Sequence, residues 1–170
     1  MKTALRTGML LGLIVLASAC TRGDRFFGAD DPSLAGGGEF GAGSTADPSS
    51  PAYFQQTVGD RVFFAVDTST LTDVGRETLI SQAIWLRDNP EFTAIIEGHA
   101  DEQGTREYNL ALGARRAATV QEFLITQGID GTRLRTITYG KERPVEVCST
   151  EACYEKNRRA VTVLTAGAGV

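Results

Sequence analysis

The apolar positions of this chain fall into strand-like and helix-like stretches separated by polar breaks. "RVFFAV" (61–66) is rich in β-branched and aromatic residues and reads as a strand. "LTDVGRETLISQAIWLRDNP" follows, with Leu79, Ala83 and Leu86 on one helical face, Thr72 placed to cap the start and Asn89-Pro90 placed to stop it. Gly75 weakens that helix by up to about 1 kcal/mol without abolishing it. "EFTAIIEGH" (91–99) predicts a second strand, and a second helix is predicted from near Thr105 to Gly128, whose position suits a terminating glycine. "RLRTITYG" (133–140) alternates as a half-buried strand, 141–157 reads as a long connection, and "RRAVTVLTA" closes the pattern as a strand.

The order is therefore β-α-β-α-β-loop-β. Strand-helix-strand units cross over right-handedly, which places the helices on one face of a mixed four-stranded sheet and makes the domain α+β. The expected domain spans 57–166, with Gly167 and Gly169 in a frayed end at 167–170, and the sequence holds no internal repeat.

The N-terminal region changes the picture. Lys2 and Arg6 precede "GMLLGLIVLASA", an apolar run too short to span a bilayer but suited to a secretory signal over 1–19. Residues 20–56 are rich in Gly, Ser, Pro and Ala and read as a flexible linker that can extend to about 115 Å. Phe26 and Phe27 lie near its start, with no role required of them.

Charge narrows the function classes. The chain carries a formal net charge of −4, and loss of Lys2 and Arg6 makes the remainder more acidic still. That argues against a nucleic-acid partner, which demands a basic stripe. In an exported chain the close pair Cys148 and Cys153 suits a disulfide, the alternative being two free thiols. His99 is the single histidine, so neither a zinc site nor an enzyme built on a nucleophile and base is supported, and no cofactor is expected. It reads as a hydrogen-bonded structural histidine.

The candidate chemistry lies in "EGHADEQGTREYNLALGARRA" (97–117). With Asn109 at zero and about 100° per residue, Leu110, Ala114, Ala117, Val120 and Leu124 form an apolar stripe centred near 80°. Arg116 then falls near −20°, at the flank of the buried face, whereas Arg115 lies roughly opposite the stripe and reads as solvated. Long helical side chains lean toward the N-terminus, which brings Arg116 toward Asn109 and the turn carrying Asp101. Asp101 and Arg116 either form a structural ion pair, or fail to meet, or share a site for a ligand with both an ammonium and a carboxylate. Gly98 and Gly104 bracket the turn and permit close backbone approach, and free N–H groups near Thr105 suit an anion.

These residues, with "YGKERP" (139–144) and "NRRAV" (157–161), resemble the OmpA-like peptidoglycan-binding domain over roughly 58–165. "LASAC" resembles a bacterial lipobox, with Ala17 where Leu is usual, and implies lipidation of Cys20; Thr21 implies sorting to the outer membrane. Cleavage leaving a free Cys20 is the alternative. The resemblance implies non-covalent binding of the diaminopimelate residue of the peptidoglycan stem peptide. It assigns Asp101 and Arg116 the key charges, and Asn109, Leu112 and Thr105 the same pocket. Val66-Asp67 stands where relatives carry Phe-Asp, so Asp67 keeps its role while the aromatic wall is lost. "NRR" reads as mainly structural, a direct ligand contact by Arg158 being the alternative. For lipoproteins of this type the resemblance further implies the periplasmic partner TolB, other Tol proteins and a part in cell division. The alternative is a generic peptidoglycan-binding lipoprotein without Tol partnership.

Overall fold

Each of the two long helices starts where a threonine caps it. In the computed structural model, which describes residues 43–166, Thr72 Oγ1 accepts the Gly75 amide at 3.0 Å and Thr105 Oγ1 accepts the Tyr108 amide at 3.2 Å. The expected signal segment, Cys20, Phe26, Phe27, residues 21–42 and residues 167–170 lie outside the described residues.

A short helix α1 (Pro51–Tyr53) continues into a wider π-helical turn (Phe54–Gly59). Then come β1 (Arg61–Phe63), α2 (Asp73–Asp88), β2 (Phe92–His99), α3 (Arg106–Thr126), a 3-10 turn (Gly131–Arg133), β3 (Leu134–Gly140), α4 (Glu151–Asn157) and β4 (Arg159–Ala166). The strand order is β1-β4-β2-β3, with β2 and β3 parallel and β4 antiparallel to both β1 and β2. This is the expected mixed sheet.

The core lies between the long helices and one sheet face. Leu79, Ala83 and Leu86 of α2 meet Ala94 and Ile96 of β2 and Ala117, Val120 and Leu124 of α3 in one buried cluster. α3 ends in a Schellman motif: the Gly128 amide donates to Ile125 O and the Ile129 amide to Leu124 O, with Gly128 at φ +92°. Leu124 and Ile129 are both buried, supplying the accompanying apolar contact.

Three expectations are corrected. The linker, expected to run to residue 56, is packed onto the domain from Ser50: Ser50 Oγ caps α1, Ala52 and Phe54 are buried, and the Phe54 ring lies 4.9 Å from that of Trp85. Trp85 Nε1 also donates to Pro48 O at 2.7 Å. Burying a Phe stabilises by about 1.5–3 kcal/mol, enough to hold a short glycine- and serine-rich segment in place. The first strand ends at Phe63, although the Phe64 amide still bonds Arg158 O, because the chain then turns through Asp67 at φ +54°. The 141–157 connection contains α4, whose start lies within the loop closed by the Cys148–Cys153 disulfide.

Candidate functional site

The strand-to-helix turn after β2, the turn after β1 and the first turns of α3 enclose a pocket of about 190 Å3. Its lining is Val66, Asp67, Asp101, Gln103, Gly104, Tyr108, Asn109 and Leu112. Four of the residues to which the resemblance assigns a binding role therefore come together: Asp67, Asp101, Asn109 and Leu112. Thr105 stands beside them as the cap of α3 but does not line the cavity.

Asp101 is held from two sides. Its Oδ1 accepts the Gln103 amide at 3.2 Å and its Oδ2 accepts Arg158 Nη1 at 3.1 Å. Asp67 accepts the Tyr108 hydroxyl, which ties the β1 turn to α3. Asn109 Nδ2 donates to Gln103 O at 2.8 Å, fixing the loop between Asp101 and Thr105. Gly104 takes φ +89°, a conformation that glycine adopts without strain. Val66 is 54% exposed at the rim and leaves that wall open.

Arg116 is not where the helical wheel put it. It sits at the middle of the buried face rather than its flank, and its side chain is fully buried. The physical reason is the contact between two glycines: a Cβ on Gly98 would lie 1.9 Å from Gly113 O. That close approach rolls α3 so that Asn109, Gly113, Arg116 and Val120 face the sheet, while Ala114 is exposed. Gly98 thus serves helix packing rather than ligand approach.

The guanidinium of Arg116 donates to Thr68 O at 2.8 Å, His99 O at 2.8 Å and Ala65 O at 3.2 Å, and lies over the Phe64 ring. It binds the two turns that carry Asp67 and Asp101 and does not line the pocket. Burial pushes it down to about 10, opposed by the nearby Asp101. Arg115 is exposed, as expected.

Arg158, read from the sequence as mainly structural, is the direct partner of Asp101. Its Nη2 also meets Glu151 of α4 at 2.5 Å. Nothing local signals this pairing, because Asp101 and Arg158 are 57 residues apart.

His99 is buried, and among the described residues neither ring nitrogen has a hydrogen-bond partner, Glu97 Oε2 at 3.6 Å being too distant. Burial, then Arg159 and Arg143, lower it to about 4, so it is uncharged at neutral pH. Among the described residues no group of metal-ligating side chains is assembled.

Two carboxylates thus face the cavity and two cations stand behind it. The start of α3 lies at its rim, where the Arg106 and Glu107 amides lack partners among the described residues. Such an arrangement suits an ammonium against the carboxylates and an anion against the helix start.

The OmpA family model matches residues 63–158. The chain is 53% identical over 138 residues to a peptidoglycan-associated lipoprotein of Brucella melitensis biotype 1, covering 81% of each chain. It is 35% identical over 160 residues to that of Legionella pneumophila, covering 91% of each. The crystal structure of the peptidoglycan-associated lipoprotein from Burkholderia pseudomallei superposes with a TM-score of 0.65 at 33% identity, over 70% of this chain and all of that one. The C-terminal domain of Helicobacter pylori MotB shares the fold, with a TM-score of 0.60 at 19% identity over 64% of this chain and 86% of that one.

Proposed function

This chain belongs to the OmpA family, and from that premise we propose that it binds peptidoglycan non-covalently as an envelope lipoprotein. In this reading Cys20 carries the lipid, residues 21–49 span the gap, and the domain holds the cell wall, so the outer membrane is tethered to it. The protein is a binding module, not an enzyme.

One observation carries the reading: Asp67 and Asp101 line a single small cavity with Asn109 and Leu112 at the start of α3. A diaminopimelate side chain ends in an ammonium and a carboxylate. The ammonium is held by Asp101 and Asp67, and the carboxylate lies toward Thr105 and the free amides of α3. Arg116 acts from behind, holding both acidic turns in register and balancing their charge.

The test is co-sedimentation of the protein with diaminopimelate-type sacculi, with free diaminopimelate as competitor. Asp101→Asn keeps the shape and removes the charge; it is expected to weaken binding at least about tenfold, the equivalent of ~1.4 kcal/mol. Unchanged sedimentation of a folded Asp101→Asn protein would sink the reading. The finer part of the proposal is that TolB and the Tol system engage this domain during division. Co-purification of TolB with the intact lipoprotein checks it, and its absence would leave a generic wall-binding lipoprotein.

A further inference from the structure

An ammonium brought to Asp101 meets an adverse charge balance. Among the described residues, the buried charges around the cavity are one carboxylate, Asp101, and two guanidiniums, Arg116 and Arg158. Asp67, the second carboxylate of the lining, is exposed to solvent. The buried excess is positive and opposes a cationic ligand. Arg116 donates to backbone carbonyls alone, so no carboxylate answers it directly. Arg158 is answered twice.

All three of its nitrogens are engaged: Nε donates to Phe64 O at 3.2 Å, Nη1 to Asp101 Oδ2 and Nη2 to Glu151 Oε1. Glu151 lies outside the cavity lining, and its side chain is 61% exposed. It supplies a further negative charge behind Asp101. It also holds Nη2 away from Asp101, where a bidentate fork would leave less of the carboxylate for a ligand. Glu151 is itself held. It begins α4, a seven-residue helix too short to be stable alone, whose cap residue Thr150 makes no side-chain hydrogen bond. Asn157 ties down the far end, its Oδ1 accepting the Val145 amide at 2.9 Å and its Nδ2 donating to Glu146 O at 2.8 Å. The near end is tied by the Cys148–Cys153 disulfide, which closes around Glu151.

We propose, resting on the reading of the Asp101 pocket as an ammonium site, that Glu151 is a positioning residue for that recognition. It acts through Arg158, and the disulfide keeps it in place. Asp101 touches the ligand; Glu151 sets how much of the Asp101 charge the ligand meets.

The test is co-sedimentation of the full chain with diaminopimelate-type sacculi, with free diaminopimelate or pimelate, which lacks both ammonium groups, as competitor. Glu151→Gln should raise the inhibition constant of diaminopimelate about fivefold and leave that of pimelate unchanged. With Asp101→Asn already present, it should add less than about twofold. Cys148→Ser combined with Cys153→Ser should repeat the fivefold loss, and Glu151→Gln should add nothing to it. Where the parent binds and Asp101→Asn is impaired, an unchanged constant for Glu151→Gln overturns the positioning role alone. Equal losses for the two competitors, or full additivity with Asp101→Asn, overturn it too, by assigning Glu151 to the fold. Parent-like binding by the serine variant, or its unfolding, removes the disulfide from the account. A parent that diaminopimelate does not displace overturns the pocket reading, and the role of Glu151 with it.

Discussion

Asp101 Oδ2 lies 3.1 Å from Arg158 Nη1, and the two side chains are only 10% and 5% exposed. A carboxylate that lines a ligand cavity is thus held by a cation from the residue that joins α4 to the last strand. Removing one partner of a buried pair leaves the other charge uncompensated. Arg158→Ala should therefore destabilise by about 3–5 kcal/mol, read by urea unfolding. Arg158→Lys should recover only part, because an ammonium cannot fork between Asp101 and Glu151. A loss below about 1 kcal/mol for Arg158→Ala would show that the pair is solvent-screened.

The neighbouring arginines of α3 should separate cleanly. Arg116→Ala strips donors from three backbone carbonyls and is expected to cost several kcal/mol, each orphaned group contributing about 1–3. Arg115→Ala should stay within about 0.5 kcal/mol of the parent. Equal unfolding midpoints for the two variants would contradict the buried position of Arg116.

His99 makes stability depend on pH. Its folded value, about 4, lies below the ordinary 6.5, so the unfolded chain binds more protons between these limits. Its contribution is fully present above pH 6.5 and is lost as the pH falls toward about 4. His99→Phe, which keeps a ring beside Tyr139, should flatten the fall in melting temperature over that window. Parallel melting curves for parent and variant would rule the effect out.

Gly98→Ala should be among the most damaging small changes available. The added Cβ would lie 1.9 Å from Gly113 O, which is backbone and cannot rotate away. Overpacking typically costs about 1–3 kcal/mol, and a forced shift of α3 from β2 should reach the upper end or beyond. The measurement is chemical denaturation, and a change under about 1 kcal/mol would mean that the helix relaxes freely.

The element order was legible because each long element carries its own period and stop: Thr72 and Thr105 as caps, Asn89-Pro90 and Gly128 as ends. α4 was not, since seven residues around a disulfide show no apolar stripe. Ser50-Pro51 is a capping residue followed by proline, a start signal hidden by its glycine- and serine-rich surroundings. Within the site, Asp67, Asp101, Asn109 and Leu112 converge, yet the roll of α3 escaped because a helical wheel weighs hydrophobicity. Here the absence of side chains at Gly98 and Gly113 sets the closest approach. The grip of Arg158 on Asp101 is a product of tertiary folding alone.

The packing of Trp85 has a mechanical consequence. The chain enters the domain at Pro48 and Ser50, against Trp85, whose ring also lies 5.2 Å from that of Phe92 at the start of β2. β2 then runs eight residues, about 25 Å, to His99, two positions before Asp101. A load applied between the entering chain and the pocket is directed along the strands. It shears the ladders of β2 with β3 and β4 together instead of peeling them one bond at a time, and the resistance is set by the unfolding rate under force.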